Sequence, residues 1–257
     1  MRLAVLAMIV ACAKKPAEPA ATGASSQPVV IVIDEDENDL LGAELLQATA
    51  PCGDLLKLEP AAVLGKLSDG EVRCLEDTLR ATDRQTVKNK LSRVLLADAW
   101  AKGDPVRWEA VAERHLEQID RSDPNLAYKF SNQLGQRGAD RADDAIRWAD
   151  VALENRTLWS GDEYVKRVYA LFRIRAVAAQ AKWQSLEEAS VRTPTEDLLR
   201  ERDLARNQTK TFAREWLEYA RVSSRDATVA MQICTSAAGT DAFCDGEGEP
   251  ANPSETP

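Results

Sequence analysis

Residues 142–155 read ADDAIRWADVALEN, and this stretch decides the fold class of the chain. Its apolar side chains return every three or four residues, which places them on one face of an α-helix. The stripe consists of Ala142, Ala145, Ile146, Ala149, Ala152 and Leu153. Because most of these side chains are small, a neighbouring helix can approach closely. The stretch therefore predicts a helix packed tightly among other helices.

The same helical spacing continues on both sides of this stretch. It occurs at Val87, Leu91, Val94 and Leu95, at Leu126, Phe130 and Leu134, at Val165, Val168, Leu171 and Phe172, and at Phe212, Trp216 and Tyr219. Helix starts are predicted where Ser68 precedes Glu71, Ser160 precedes Glu163 and Thr193 precedes Glu196, and at Asp104-Pro105 and Asp123-Pro124. The one good strand candidate is VVIVI at residues 29–33, and a single strand cannot form a sheet. We predict an all-α domain over residues 39–238.

Part of this domain, from about residue 91 to residue 183, resembles tetratricopeptide repeats. The helix that follows Asp123-Pro124-Asn125 and the 142–155 segment resemble the two helices of one repeat, and Gly103-Asp104 resembles the turn between helices. The loop at 136–140 is longer than in the family, and the Trp-Leu-Gly-Tyr pattern of the first helix is degraded. The resemblance implies helical hairpins stacked as a short solenoid. A plain helical bundle with alanine-rich packing is the alternative.

The N-terminus carries the features of an export signal. Met1-Arg2 is a minimal positive region, and residues 3–11 form an apolar run too short to cross a bilayer as a helix. The run ends Ile9-Val10-Ala11-Cys12, which resembles the bacterial lipobox, although Val10 departs from the commoner Ala or Ser. The resemblance implies a signal peptide at 1–11 and a Cys12 that becomes the lipidated N-terminus. A buried apolar segment with an incidental cysteine is the alternative.

The residues after Cys12 are typical of a flexible tether in a protein of the bacterial cell envelope. Residues 13–28 read AKKPAEPAATGASSQP, which lacks the apolar surface that a packed core needs. We predict that 12–38 is a disordered tether between the lipid anchor and the domain. Ala13 is not the Asp that favours inner-membrane retention in enteric bacteria, so the outer membrane, facing the periplasm, is the expected location.

Charge is concentrated at the two ends of the chain. The net charge is −9, but clustered acids near residues 34–39 and in the tail account for most of it, and the centre is nearly neutral. Broad nucleic-acid binding is excluded because it needs clustered Lys and Arg. Residues 239–257, with their glycines, prolines and acids, are predicted to be a disordered tail.

Four cysteines remain if Cys12 is lipidated. In an oxidising compartment an even number predicts two disulfides, with three connectivities open. Proximity in the chain favours Cys52 with Cys74 and Cys234 with Cys244. Buried free thiols are the alternative, and a cysteine metal site is not expected because the chain has no CxxC pair.

Catalytic signatures are missing from the sequence. The one histidine, His115, shares a helical stripe with Trp108, Val111, Ala112 and Ile119, which predicts a partly buried histidine whose hydrogen bonds are satisfied. There is no G-x-S-x-G, P-loop, G-x-G-x-x-G or HExxH motif. We therefore predict no catalytic residue, no metal site and no cofactor.

The six tryptophans are many for this chain, and two of them are candidate binding anchors. Trp148 lies beside the small-residue stripe and Trp159 lies in a predicted turn, although packing between helices is the alternative for both. The expected function is that of a lipid-anchored envelope scaffold or assembly factor that binds unknown envelope proteins and is not an enzyme. Two alternatives stay open: a periplasmic enzyme that uses carboxylates, such as a lytic glycosidase, and a carrier with an apolar pocket.

Overall fold

The computed structural model describes Cys52 and residues 65–245. This part of the chain contains nine α-helices and no strand: α1 (Asp69–Ala81), α2 (Gln85–Ala101), α3 (Pro105–Gln118), α4 (Pro124–Gly135), α5 (Ala142–Glu154), α6 (Gly161–Arg192), α7 (Glu196–Val222), α8 (Thr228–Ala238) and α9 (Asp241–Asp245). Short 3₁₀-helices, Gly138–Arg141 and Arg156–Leu158, precede α5 and α6. The predicted all-α fold class is confirmed. Cys12, the tether and the strand candidate at 29–33 lie outside the described residues.

Three of the five predicted helix starts carry the expected caps. At α1 the Ser68 hydroxyl accepts from the Glu71 amide while the Glu71 carboxylate accepts from the Ser68 amide, which is a complete capping box. Asp104 caps α3 and Asp123 caps α4, each with proline at the first helical position. Local sequence therefore determines where these helices begin.

Of the other two predicted starts, Ser160 is correct in position but lacks the cap bond, and Thr193 is displaced. Ser160 makes no side-chain cap bond at the start of α6, where the chain passes through Gly161 at a φ of +54°. Thr193 ends α6 instead of starting α7, because a residue before proline disfavours the helical conformation. Thr195 is the actual cap of α7, and its hydroxyl accepts from the Leu198 amide.

Each helix packs mainly against the next one along the chain. The longest pair, α6 with 32 residues and α7 with 27, forms a hairpin against which α5 and α8 pack on either side. Helix α4 contacts both α5 and α6, and α1 to α4 follow one another in sequence order. This arrangement fits an all-α bundle or solenoid of helical hairpins.

The small-residue stripe of α5 lies in the core. Ala142, Ala145, Ala149 and Ala152 are all buried, where α5 packs against α4 and α6. Aromatic contacts join successive helices nearby: the ring centroids lie 5.8 Å apart for Trp100 and Trp108, 6.1 Å for Trp108 and Phe130, and 6.0 Å for Phe130 and Trp148. These contacts connect α2, α3, α4 and α5 through one continuous core.

Both cysteine pairs that proximity favours stand at disulfide distance. Cys52 and Cys74 are separated by 1.99 Å between sulfurs, and Cys234 and Cys244 by 2.08 Å. The first pair ties the chain before α1 to the middle of α1, and the second ties α9 to α8.

The folded part extends further than the predicted boundary at residue 238. Gly239 ends α8 with a φ of +81°, a left-handed conformation that glycine adopts without strain, and the chain turns back into α9. Cys244 of α9 is buried against the core cluster of Trp216 and Ile233. The first residues of the predicted tail, 239–245, therefore pack on the domain, and 246–257 lie outside the described residues.

None of the described helices combines the length and the apolar character that crossing a membrane requires.

Candidate functional site: a groove between α5, α6 and α7

The two tryptophans predicted as surface anchors are buried. Trp148 is only 2% exposed and lies against Phe130, and Trp159 is 7% exposed and packs edge-on against Tyr128. The indole nitrogen of Trp159 donates a hydrogen bond to Asn125 Oδ1 at 2.8 Å. The prediction that these rings face a partner is therefore wrong: α4 and α6 pack on the helix that carries Trp148, and side chains of the same two helices cover Trp159.

His115 also differs from its prediction. It is fully buried, yet neither ring nitrogen has a hydrogen-bond partner among the described residues. Burial is the main cause that lowers its pKa, so the neutral imidazole is favoured. The expectation of a satisfied histidine is corrected accordingly.

A depression lined by both apolar and charged side chains lies between α5, α6 and α7. We name it the α5–α7 groove, and it encloses about 490 Å³. Its lining comprises Asp150, Leu153, Glu154, Arg156, Tyr164, Val168, Phe172, Arg175 and Tyr219. It is open to solvent along its length, which distinguishes it from an enclosed small-molecule site.

Arg175 is the centre of the α5–α7 groove. Its Nε lies 2.8 Å from Asp150 Oδ1 of α5, and its Nη1 donates to Glu215 Oε2 of α7 at 2.6 Å. The guanidinium also stacks over the Phe212 ring at 3.9 Å from its centroid. The side chain is 12% exposed. One arginine of α6 thus forms ion pairs with both neighbouring helices, and of the two the contact with Glu215 is also a hydrogen bond.

Two aromatic rings make up the apolar wall beside this ion-pair cluster. Phe172 of α6 and Tyr219 of α7 have ring centroids 5.2 Å apart, and Tyr164 contributes a third half-buried ring. Burial raises the pKa of the Tyr219 hydroxyl, with Tyr164 adding to the effect, so Tyr219 stays protonated and can donate a hydrogen bond. The wall therefore presents apolar faces together with a polar edge.

The carboxyl group of Asp150, at the charged rim of the groove, has a shifted pKa. Burial raises the pKa of Asp150, Arg175 lowers it less, and the nearby Glu215 and Glu154 raise it further. The ionised form of Asp150 is thus disfavoured relative to water even though it faces an arginine. Because Asp150 and Glu215 both pair with Arg175, this arginine keeps one partner if the other is replaced.

We expect the replacement Asp150→Asn to leave stability at pH 7 within about 1 kcal/mol of the wild type, because Glu215 still pairs with Arg175. The raised pKa means that Asp150 ionises first in the unfolded chain, so its ionisation costs the wild type stability relative to the variant as pH rises from about 3.8 through the folded value. The variant lacks this loss. Urea unfolding of both proteins between pH 3 and pH 8 measures the difference, and a wild type that gains stability relative to the variant as pH rises would show that the Arg175 pair outweighs burial.

Sequence inspection did not single out the residues of the α5–α7 groove. Asp150 and Arg175 are 25 positions apart and belong to a chain with 29% charged residues, so neither stands out. A weak signal existed in the aromatic stripe that contains Phe172 and in the one that contains Tyr219, since both were predicted to face a neighbouring helix.

No family model, curated protein or solved structure matches this chain. A functional conclusion therefore rests on the motifs of the sequence and on the geometry of the α5–α7 groove.

Proposed function

We propose that this protein is a lipid-anchored interaction protein of the bacterial cell envelope, which docks a segment of a partner protein in the α5–α7 groove. The observation that carries the proposal is the groove itself: an open depression with an aromatic wall beside an ion-pair cluster centred on Arg175. Rigid aromatic side chains beside oriented charges are common anchors in protein interfaces.

The chemistry of the groove favours a particular kind of segment. Phe172, Tyr219 and Tyr164 offer contact for an aliphatic or aromatic side chain of the partner. Glu154, exposed at the rim, offers a carboxylate to a basic residue beside it. An extended or helical segment that carries an apolar residue next to Lys or Arg fits both features.

The proposed location is supported by two independent features. The lipobox-like residues that end at Cys12 resemble an export and acylation signal. The two cysteine pairs at disulfide distance are typical of proteins from oxidising compartments and unusual in the cytosol.

Site-specific photo-crosslinking in the native envelope tests the docking proposal. A benzophenone amino acid replaces Tyr164 or Tyr219 in the groove and, as the control, Val191 at the exposed end of α6. We expect one protein to be crosslinked from both groove positions and not from Val191. Equal crosslinking from all three positions, or none from the groove, contradicts the proposal.

A charge reversal then tests the expected basic segment. Glu154→Lys changes the groove rim, while Glu188→Lys makes the same change on the exposed surface of α6. We expect the first variant to weaken partner crosslinking several-fold and the second to leave it unchanged. The reverse ranking contradicts a basic docking segment.

The anchor is tested by the intact mass of the protein extracted with detergent from its native membrane. A chain that starts at Cys12, carries acyl groups and has lost four hydrogens is the expected species, and Cys12→Ser is expected to stay unlipidated. An unprocessed chain with free thiols contradicts both the anchor and the export.

A carboxylate enzyme is the second candidate, and the raised pKa of Asp150 beside Glu215 is the observation that favours it. Incubation of the purified protein with isolated peptidoglycan, followed by analysis of released fragments, tests this alternative. Release that is abolished by Asp150→Asn supports the enzyme, whereas no release at any pH between 4 and 8 contradicts it.

A further inference from the structure

The turn between α3 and α4 brings one buried histidine and two carboxylates together. One ring nitrogen of His115 and one oxygen each of Asp120 and Asp123 all lie within 4.8 Å of one another. His115 belongs to the last turn of α3, Asp120 lies in the turn, and Asp123 caps α4. Three consecutive pieces of the backbone thus direct donor atoms to a single point.

Backbone hydrogen bonds explain how this convergence arises. The carbonyl of His115 accepts from the Ile119 amide at 2.9 Å and from the Asp120 amide at 2.8 Å, so the chain folds back over the end of α3. The Asp123 carboxylate is fixed by the amides of Asn125 and Leu126, each at 3.0 Å. The backbone of the turn therefore holds the three side chains close together.

The imidazole of His115 is the observation that points to a ligand. The residue is fully buried, and both ring nitrogens lack a hydrogen-bond partner within the described part of the chain. Buried polar groups are nearly always paired with protein, water or an ion. The ring of His115 lies beside the carboxylates of Asp120 and Asp123, which are less buried than the histidine.

We propose that His115, Asp120 and Asp123 form a binding site for a divalent transition metal of the zinc type. One imidazole nitrogen and two carboxylate oxygens are ligands that zinc accepts, and a water molecule would complete a tetrahedral set. Two carboxylates and a neutral imidazole balance the charge of a divalent ion. This site lies on the α3–α4 turn and its proposal does not depend on the α5–α7 groove.

The geometry requires a small closure of the turn. Zinc bonds of about 2.1 Å in a tetrahedron place donor atoms about 3.4 Å apart, so donors that now lie within 4.8 Å of one another must approach by up to about 1.4 Å. Asp120 sits in the turn, and its Oδ1 accepts from the Ser122 amide at 3.0 Å and from the Ser122 hydroxyl at 2.7 Å. Ser122 thus orients one oxygen and leaves the other for the metal.

Arg93 of α2 competes with the metal. Its Nη2 lies 3.1 Å from Asp123 Oδ2, and its Nε donates to Asn89 Oδ1 at 2.7 Å. The Arg93 side chain is 43% exposed, so it can withdraw into solvent when a cation binds. Its positive charge is expected to lower the affinity of the site for a metal cation, so removing that charge tests the proposal.

The test is a titration of the metal-free, oxidised full-length protein with Co²⁺, followed by displacement with Zn²⁺. We expect visible absorption from one bound Co²⁺ per chain, and its loss when Zn²⁺ is added. Absence of any signal at stoichiometric Co²⁺ overturns the proposal and leaves a buried water as the bridge between the three side chains.

Variants that preserve the fold make the test specific. Asp120→Asn keeps the acceptor for Ser122 and Asp123→Asn keeps the helix cap, yet each removes a charged ligand and is expected to weaken Co²⁺ binding at least about 10-fold. Arg93→Gln is expected to strengthen it. The matched control is Asp104→Asn, an equivalent cap before proline at the other end of α3. Unchanged affinity in both ligand variants overturns the proposal.

Discussion

Replacing Asp98 with alanine is expected to lower the free energy of unfolding by about 3–5 kcal/mol. Asp98 is fully buried, and its Oδ2 lies 2.9 Å from Arg107 Nη1 and 3.2 Å from Lys102 Nζ. Its Oδ1 accepts from the Gly65 amide at 2.8 Å and from the Leu67 amide at 3.4 Å. The change leaves two cations without their counter-charge and two backbone amides without an acceptor.

The position of Asp98 explains the size of this effect. The residues leading into α1 run beside α2 so closely that a Cβ on Gly65 would lie 3.1 Å from Ala101 Cβ. Gly65 also has a φ of +75°, which other residues rarely adopt. Asp98 therefore fastens the start of the described domain to α2 and α3.

Two matched variants separate the contributions of Asp98. Asp98→Asn keeps an acceptor for the amides and is expected to lose less stability than alanine does. Asp77→Ala, which removes an exposed carboxylate paired with Arg80, is expected to change stability by less than about 1 kcal/mol. Urea unfolding measures all three, and a loss of under 1 kcal/mol for Asp98→Ala would show that the buried cluster adds little.

Removing either cysteine pair is expected to cause the second large loss in the free energy of unfolding. The bridges close loops of 22 and 10 residues, and the chain-entropy model assigns about 3 kcal/mol to each. We expect the double replacements Cys52→Ser with Cys74→Ser, and Cys234→Ser with Cys244→Ser, to unfold at clearly lower urea concentrations. The second pair is also buried, so its loss opens the contact between α8 and α9.

A reductant provides the control for this prediction. It is expected to destabilise the wild type by about the sum of the two losses and to have no effect on a protein in which all four residues are serine. If the reductant leaves the wild type unchanged, the cysteines are free thiols, and the argument for an oxidising compartment loses one of its two supports.

Local patterns predicted the secondary structure of this protein well. The α5 stripe, the proline-preceded caps Asp104 and Asp123 and the Ser68 box depend on residues within one or two helical turns, and such short-range effects are encoded locally. The cysteine pairs were favoured for the same reason, since short loops lose little entropy on closing. At the start of α7 the predicted cap, Thr193, is two residues before the actual cap, Thr195, because Pro194 disfavours a helical conformation at Thr193.

The sites depend on contacts between distant positions, which no local pattern contains. Arg175 meets Glu215 40 residues away, and Asp98 accepts from an amide 33 residues earlier. Trp148 is buried because α4 and α6 both pack on α5, whereas the stripe alone marks one buried face. In the sequence His115 cannot be distinguished from an ordinary core residue, because only the folded α3–α4 turn places two carboxylates beside it. The amino-acid sequence alone was enough to predict the helical fold class and three of the helix caps, whereas the pairing of charges and rings depends on how whole helices pack against one another.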